Sequence, residues 1–197
     1  MIASPQRLSP AEYLALEAQS PVKHEYIRGR VLAMAGTTDT HNVISGNLFV
    51  ALRSQLRGTA CQVYFADIKV RLEQCDCYYY PDLLVTCDAD DQNTTTYKRY
   101  PKLIVEVLSA STEAFDRGDK FQDYQTSTSL AEYVLVNTKR RQVEVFRRME
   151  GGLWLLQTYL PPDKIELRAV GLQISFDELY ADVVLSQTAQ AEGSSEA

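Results

Sequence analysis

No run of about 18 apolar residues occurs anywhere in this 197-residue chain, so no segment is expected to cross a membrane as a helix. The opening stretch MIASPQRLSP has no apolar signal core, and nothing in it predicts secretion; a cytoplasmic location is the expectation. Gly-rich phosphate loops, G-x-G-x-x-G, H-E-x-x-H and G-x-S-x-G are all absent. The chemistries those motifs carry are therefore set aside. Cysteine is sparse, at Cys61, Cys75, Cys77 and Cys87. Without a signal sequence these are expected to be reduced thiols. Cys75-x-Cys77 is not the C-x₂₋₄-C of common zinc sites and no second close pair follows, so no zinc is expected there.

Positive charge is also in deficit. Acidic residues outnumber basic ones 26 to 20, for a net charge of −6. This argues against a protein that coats nucleic acid through bulk electrostatics. It leaves room for a nuclease, because metal-binding carboxylates are themselves acidic. The local basic runs Lys98-Arg99, Lys139-Arg140-Arg141 and Arg147-Arg148 are expected to be solvated turns or strand ends.

What is present reads as a mixed α/β chain of ordinary composition, 45% hydrophobic and 23% charged. Ser9-Pro10 opens a short helix, with Ser9 as N-cap. HEYIRGRVLAMAG predicts a hairpin about Arg28-Gly29. The stretch from Thr37 to Gly58 predicts the longest helix, with Ile44, Leu48, Leu52 and Leu56 as its apolar stripe. CQVYFADIKVRLE, YYYPDLLVTCD and PKLIVEVLS then read as strands, the first with an irregularity between Phe65 and Ile68. A polar helix from about Thr112, interrupted at Gly118, precedes a buried strand, EYVLVN. A second hairpin turns at Gly151-Gly152, and GLQISFDELY reads as a closing extended piece. The middle is thus α-β-β-β-α-β. Residues 1–186 read as one domain, and the small, polar residues 187–197 are expected to be disordered.

The candidate chemistry lies in carboxylates within apolar strands. Glu106 interrupts LIVEVLS and shares a strand face with Ile104 and Leu108, while Leu103, Val105 and Val107 point the other way. An unpaired carboxylate there costs several kcal/mol, so it needs a cationic partner or a metal. Asp82 follows Pro81 at the head of LLVTC. If the two strands pair as neighbours, Asp82 and Glu106 converge at one sheet end, an oxygen-rich site suited to Mg²⁺ or Mn²⁺. Lys120 lies on the following helix with Asp116 one turn before it and Tyr124 one turn after. Its bland alternative is a surface ion pair with Asp116.

Pro81-Asp82 followed by Glu106-Val107-Leu108 resembles the PD-(D/E)XK nuclease superfamily. The wider series HEYIRGRVLAMAG, PDLLV, PKLIVEVLSAST, DRGDKFQDY and EYVLVN is similar to the Uma2-type restriction endonucleases, from about Glu12 to Phe176. The superfamily motif expects a lysine where Leu108 stands. The Uma2 resemblance implies that this lysine has moved to the next helix, at Lys120. It implies a restriction-endonuclease-like mixed sheet with an αβββαβ core and β-hairpin additions at both ends. Asp82 and Glu106 would bind Mg²⁺ or Mn²⁺, with Glu25 completing the site, and Lys120 would position water. His41, on the inward stripe of the long helix with Ser45, Leu48 and Leu52, would contact the scissile phosphate. The implied substrate is nucleic acid, most simply DNA, cut to leave a 5′-phosphate, with a homodimer expected for duplex cleavage. The alternative is a catalytically silent nuclease fold serving as a binding or regulatory module.

Overall fold

The computed structural model describes residues 7–34 and 36–185. The tail expected to be disordered lies outside the described residues. Helix α1 (Pro10–Glu17) starts where Ser9 and Glu12 form a reciprocal capping box. Strands β1 (His24–Ile27) and β2 (Arg30–Ala33) form the expected hairpin, with Ile27 opposite Arg30. Its turn places Arg28 and Gly29 at φ 49° and 89°. Gly29 is also pressed against Arg7, where an added Cβ would come within 2.8 Å of the Arg7 Cβ.

The long helix α2 (Asp39–Gln55) is capped by Thr38, and its Ile44, Leu48 and Leu52 are fully buried. Truncating any one to alanine would cost about 2–5 kcal/mol. The irregularity after Phe65 is a change of sheet. Strand β3 (Gln62–Phe65) joins one sheet and β4 (Lys69–Leu72) the other. The same division splits YYYPDLLVTCD, which forms β5 (Cys77–Tyr79) and β6 (Leu83–Thr86) in different sheets rather than one strand. Proline at position 81 has no N–H for a continuing ladder, so the run breaks there. The loop after β6 contains a short strand, β7 (Tyr97–Lys98), beside β4.

Strand β8 (Pro101–Val107) is followed by two short helices, α3 (Glu113–Arg117) and α4 (Asp119–Gln125). They are not one helix because Gly118 lets the chain bend, and a Cβ there would lie 3.2 Å from the Ala114 carbonyl oxygen. Then come β9 (Glu132–Val136), every residue of it buried, and the hairpin β10 (Val143–Arg148) and β11 (Trp154–Tyr159). A strand not foreseen, β12 (Lys164–Leu167), pairs with β13 (Leu172–Ser175). The closing piece is extended only to Ser175. There a second capping box starts α5 (Phe176–Leu179).

Two sheets result, besides the β12–β13 pair. The six-stranded sheet runs β11-β10-β9-β8-β6-β3, and the five-stranded one β2-β1-β5-β4-β7. Taken with α2 and α4, strands β3, β6, β8 and β9 form the αβββαβ core of a restriction-endonuclease-like fold. One face of the large sheet carries Val63, Leu83, Val85, Leu103, Val105 and Val107, and packs on α2, β12, β13 and α5. The other carries Leu84, Ile104, Leu108, Tyr133 and Leu135, and packs on α4 and the five-stranded sheet. No helix among the described residues is long and apolar enough to cross a membrane.

Two expectations about side chains are corrected. Cys61 and Cys87 are joined in a disulfide, their separation in sequence being 26. They sit one step beyond the Gln62–Thr86 pair of the antiparallel β3–β6 ladder, which brings them face to face. Nor are all the basic runs solvated. Lys98 is buried and donates to the Asp91 carbonyl at 2.6 Å. Arg147 is buried against Glu132, its Nε 2.7 Å from Oε1.

Candidate active site

Strand pairing decides the first contact. Strands β6 and β8 are antiparallel neighbours with Leu83 opposite Val105, which brings Asp82 alongside Glu106. The Asp82 Oδ2 accepts the Val107 N–H at 2.7 Å. Glu106 is only 4% exposed, and its strand is central, flanked by β6 and β9. The carboxylate rises from the inside of the sheet into a cleft at the strand end.

The cationic partner comes from a helix. Helix α4 packs Phe121 and Tyr124 onto the Ile104–Leu108 face of the sheet, which turns Lys120 toward Glu106. Lys120 Nζ lies 2.9 Å from Glu106 Oε1, 3.2 Å from Glu25 Oε1 and 3.6 Å from Asp116 Oδ1. With 6% of its side chain exposed, Lys120 is no surface lysine. The Tyr124 hydroxyl donates to the same Glu106 oxygen at 3.3 Å.

Glu25 enters from the five-stranded sheet, and its Oε1 also accepts the Tyr80 N–H at 3.2 Å. The first turn of α2 brings His41 Nε2 to 3.1 Å from Asp82 Oδ2. All five predicted site residues therefore line one cleft of about 940 Å³, together with Asp116, Ser109, Thr112 and the apolar Leu32, Met34 and Phe65. Asp116, foreseen only as a surface partner of Lys120, is buried and adds a fourth carboxylate. Its i,i+4 spacing to Lys120 was the available signal.

The electrostatics follow from burial and charge count. Desolvation pushes the Glu106 carboxyl well above its ordinary range, and Lys120 only partly offsets this. Burial works against the Lys120 charge, but Glu106, then Glu25 and Asp116, hold its ammonium firmly protonated. Desolvation likewise raises Asp116. Four carboxyl groups thus face one ammonium, and a divalent cation beside them would favour the ionised forms that burial of Glu106 and Asp116 opposes.

Residues and group fit in donor chemistry. Asp82 Oδ2, Glu106 Oε1 and Glu25 Oε1 carry the contacts described above, while Asp82 Oδ1, Glu106 Oε2 and Glu25 Oε2 accept no hydrogen bond among the described residues. Among the described residues no fully buried side-chain nitrogen or oxygen lacks a partner, so these free oxygens open onto the cleft. Hard oxygen donors of this kind suit Mg²⁺ or Mn²⁺. They do not form a closed set, however. Among the described residues the three side chains whose ligand atoms lie within 4.8 Å of one another are Cys75, Cys77 and Asp123, and Lys120 stands between Glu25 and Glu106.

Comparison with known proteins agrees with this architecture. The model of the Uma2 family, described as "Putative restriction endonuclease", matches residues 10–178. Two uncharacterised proteins of Synechocystis are related along most of their length. One, slr1290, is 38% identical over 174 residues, which is 88% of this chain and 92% of that protein. The other, sll1609, is 31% identical over 158 residues, 79% and 89% of the two chains. The crystal structure of a protein from Anabaena variabilis, described as "a putative nuclease belonging to DUF820", superposes with a TM-score of 0.74. It covers 90% of this chain and 99% of that one, at 14% identity, a likeness of fold.

Proposed function

The chain belongs to the Uma2 family, and from that premise we propose that it is a metal-dependent endonuclease acting on DNA. The observation that carries the proposal is the cleft itself: three carboxylates, each with one oxygen tied down and one free, around a buried ammonium. Asp82 and Glu106 would hold Mg²⁺ or Mn²⁺, with Glu25 assisting. The cation supplies polarisation of the phosphodiester and a lowered pKa for water.

The remaining work falls to the chain's own groups. Lys120, kept charged by its carboxylates, orients the attacking water and offsets charge building on the phosphate. His41 and the Val107 N–H fix Asp82 from two sides, leaving Oδ1 toward the cleft. The His41 ring also stands where a phosphate oxygen would enter. Tyr124 steadies Glu106 from below. Loss of the strand lysine is thereby compensated by a helix that delivers an ammonium to the same carboxylate.

The test is nicking of supercoiled plasmid with Mg²⁺, with EDTA, and with Asp82→Ala and Lys120→Ala. Nicking is expected in the wild type with Mg²⁺ alone. Activity that persists in both variants would overturn the assignment. One observation favours a second reading, a silent module: Lys120 already bridges Glu25 and Glu106. A protein that binds no Mn²⁺ in calorimetry and nicks nothing would support it.

A further inference from the structure

A second cluster gathers about Asp123, one turn along α4 from Lys120. Strand β4 turns into β5 through Asp76, whose φ of 52° reverses the chain between the two free cysteines. This turn presents both thiols on one side. Cys77 is buried and Cys75 partly so. Asp123, on α4, comes up against them, with its Oδ2 3.5 Å from Cys77 Sγ. One ligand atom from each of the three side chains lies within 4.8 Å of the others.

From this geometry we infer a second metal site, in which Cys75 Sγ, Cys77 Sγ and Asp123 bind a thiophilic divalent cation of the Zn²⁺ class. Two cysteines one residue apart do not by themselves make a zinc site, which is why the sequence pattern alone excludes one. The fold adds what the pattern lacks, a third ligand brought from a distant helix. Three protein ligands with a fourth position for solvent is an established Zn²⁺ arrangement, and sulfur donors select it over Mg²⁺.

The surroundings are those of a supported site. Asp123 is oriented by the Tyr79 hydroxyl, which donates to Oδ2 at 2.6 Å, and by an ion pair with Arg28. Such outer contacts fix a ligand's direction. The Thr126 hydroxyl lies 3.9 Å from Cys75 Sγ. Charge also closes: two thiolates and a carboxylate are balanced by one divalent cation and the Arg28 guanidinium. Binding would replace two S–H bonds by two metal–sulfur bonds and release two protons to solvent, with no change of oxidation state. The cation would join the β4–β5 turn to the helix that also bears Lys120.

The experiment uses the full chain, reduced and stripped of metal, titrated with Co²⁺ as a visible probe and then with Zn²⁺. One Co²⁺ per chain with a thiolate-to-metal charge-transfer band is expected, displaced by Zn²⁺. The band should vanish in Cys75→Ser/Cys77→Ser and persist in Cys61→Ser/Cys87→Ser and in Asp82→Asn/Glu106→Gln, which separates this site from the cleft. Arg28→Ala should weaken binding by about 10–100-fold. Should the double serine variant fail to fold, Cys75→Ala, at the more open position, carries the test. Absence of the band in wild type with both thiols free, or its survival in a folded Cys75 variant, would overturn the site.

Discussion

Lys120 Nζ and Glu106 Oε1 lie 2.9 Å apart, one from a helix and one from a central strand, both almost fully withdrawn from solvent. Glu106 pairs with no other cation among the described residues. Lys120→Met should therefore destabilise the protein by about 3–5 kcal/mol, the cost of leaving a buried charge unpaired. Urea unfolding measures this, and a loss below about 1 kcal/mol would show that the pair carries little. Millimolar Mg²⁺ should restore part of the loss in Lys120→Met but none in Lys120→Met/Glu106→Gln.

His41 Nε2 lies 3.1 Å from Asp82 Oδ2, the oxygen that also accepts the Val107 N–H. His41→Ala should reduce Mg²⁺-dependent nicking by about 10–100-fold, the usual effect of removing a group that orients a metal ligand. Far-ultraviolet circular dichroism and the unfolding midpoint should stay near wild type, because the ring is on the cleft wall. Nicking at the wild-type rate would remove His41 from the site.

Reduction of the Cys61–Cys87 bond opens a loop of sequence separation 26. By the chain-entropy estimate this should cost about 3.5 kcal/mol. The expected outcome is a lower unfolding midpoint on adding reductant, with no such response in Cys61→Ala/Cys87→Ala. Equal midpoints in oxidised and reduced protein would contradict it.

Glu17 gives a pH signature away from the cleft. It accepts the His24 N–H at 2.9 Å and the Tyr80 hydroxyl at 2.8 Å, with His24 Nδ1 at 3.0 Å. Burial opposes its charge, yet these contacts hold its carboxyl below the ordinary value. A depressed folded pKa adds stability that is full above the unfolded value of about 4.3 and fades as pH falls through the folded one. Glu17→Gln should thus cost most near neutral pH, and the two stabilities should converge in acid. A difference that grows on acidification would reverse the sign.

Much of this was legible in the chain because alternation and capping are local. Glu106 shares its face with Ile104 and Leu108 because strands have a two-residue period, and the stripe of α2 is buried because helices have theirs. Ser9 and Thr38 cap the helices they precede. What could not be read depended on contacts between distant segments. Nothing near Cys61 specifies Cys87, and nothing near Arg147 specifies Glu132. The division of YYYPDLLVTCD between two sheets depends on which neighbours each half meets, β1 and β4 for one, β3 and β8 for the other. Asp123 illustrates the same limit: beside its own neighbours it is a helix-surface acid, and only the fold sets it against two thiols.

Two of the chain's passages between the sheets, after Phe65 and after Tyr79, are stitched together by the Ala66 N–H, which donates to the Asp82 carbonyl at 3.0 Å. Glu25 stands on one side of that seam, Glu106 on the other, and Asp82 on the stitch itself. A cation gripping all three would act as a rivet through both layers. Slippage of one sheet against the other would then be read directly as a change in carboxylate spacing. Amide hydrogen exchange along β1 and β6 should slow together when Mg²⁺ is added, turning a question of catalysis into one of mechanical coupling.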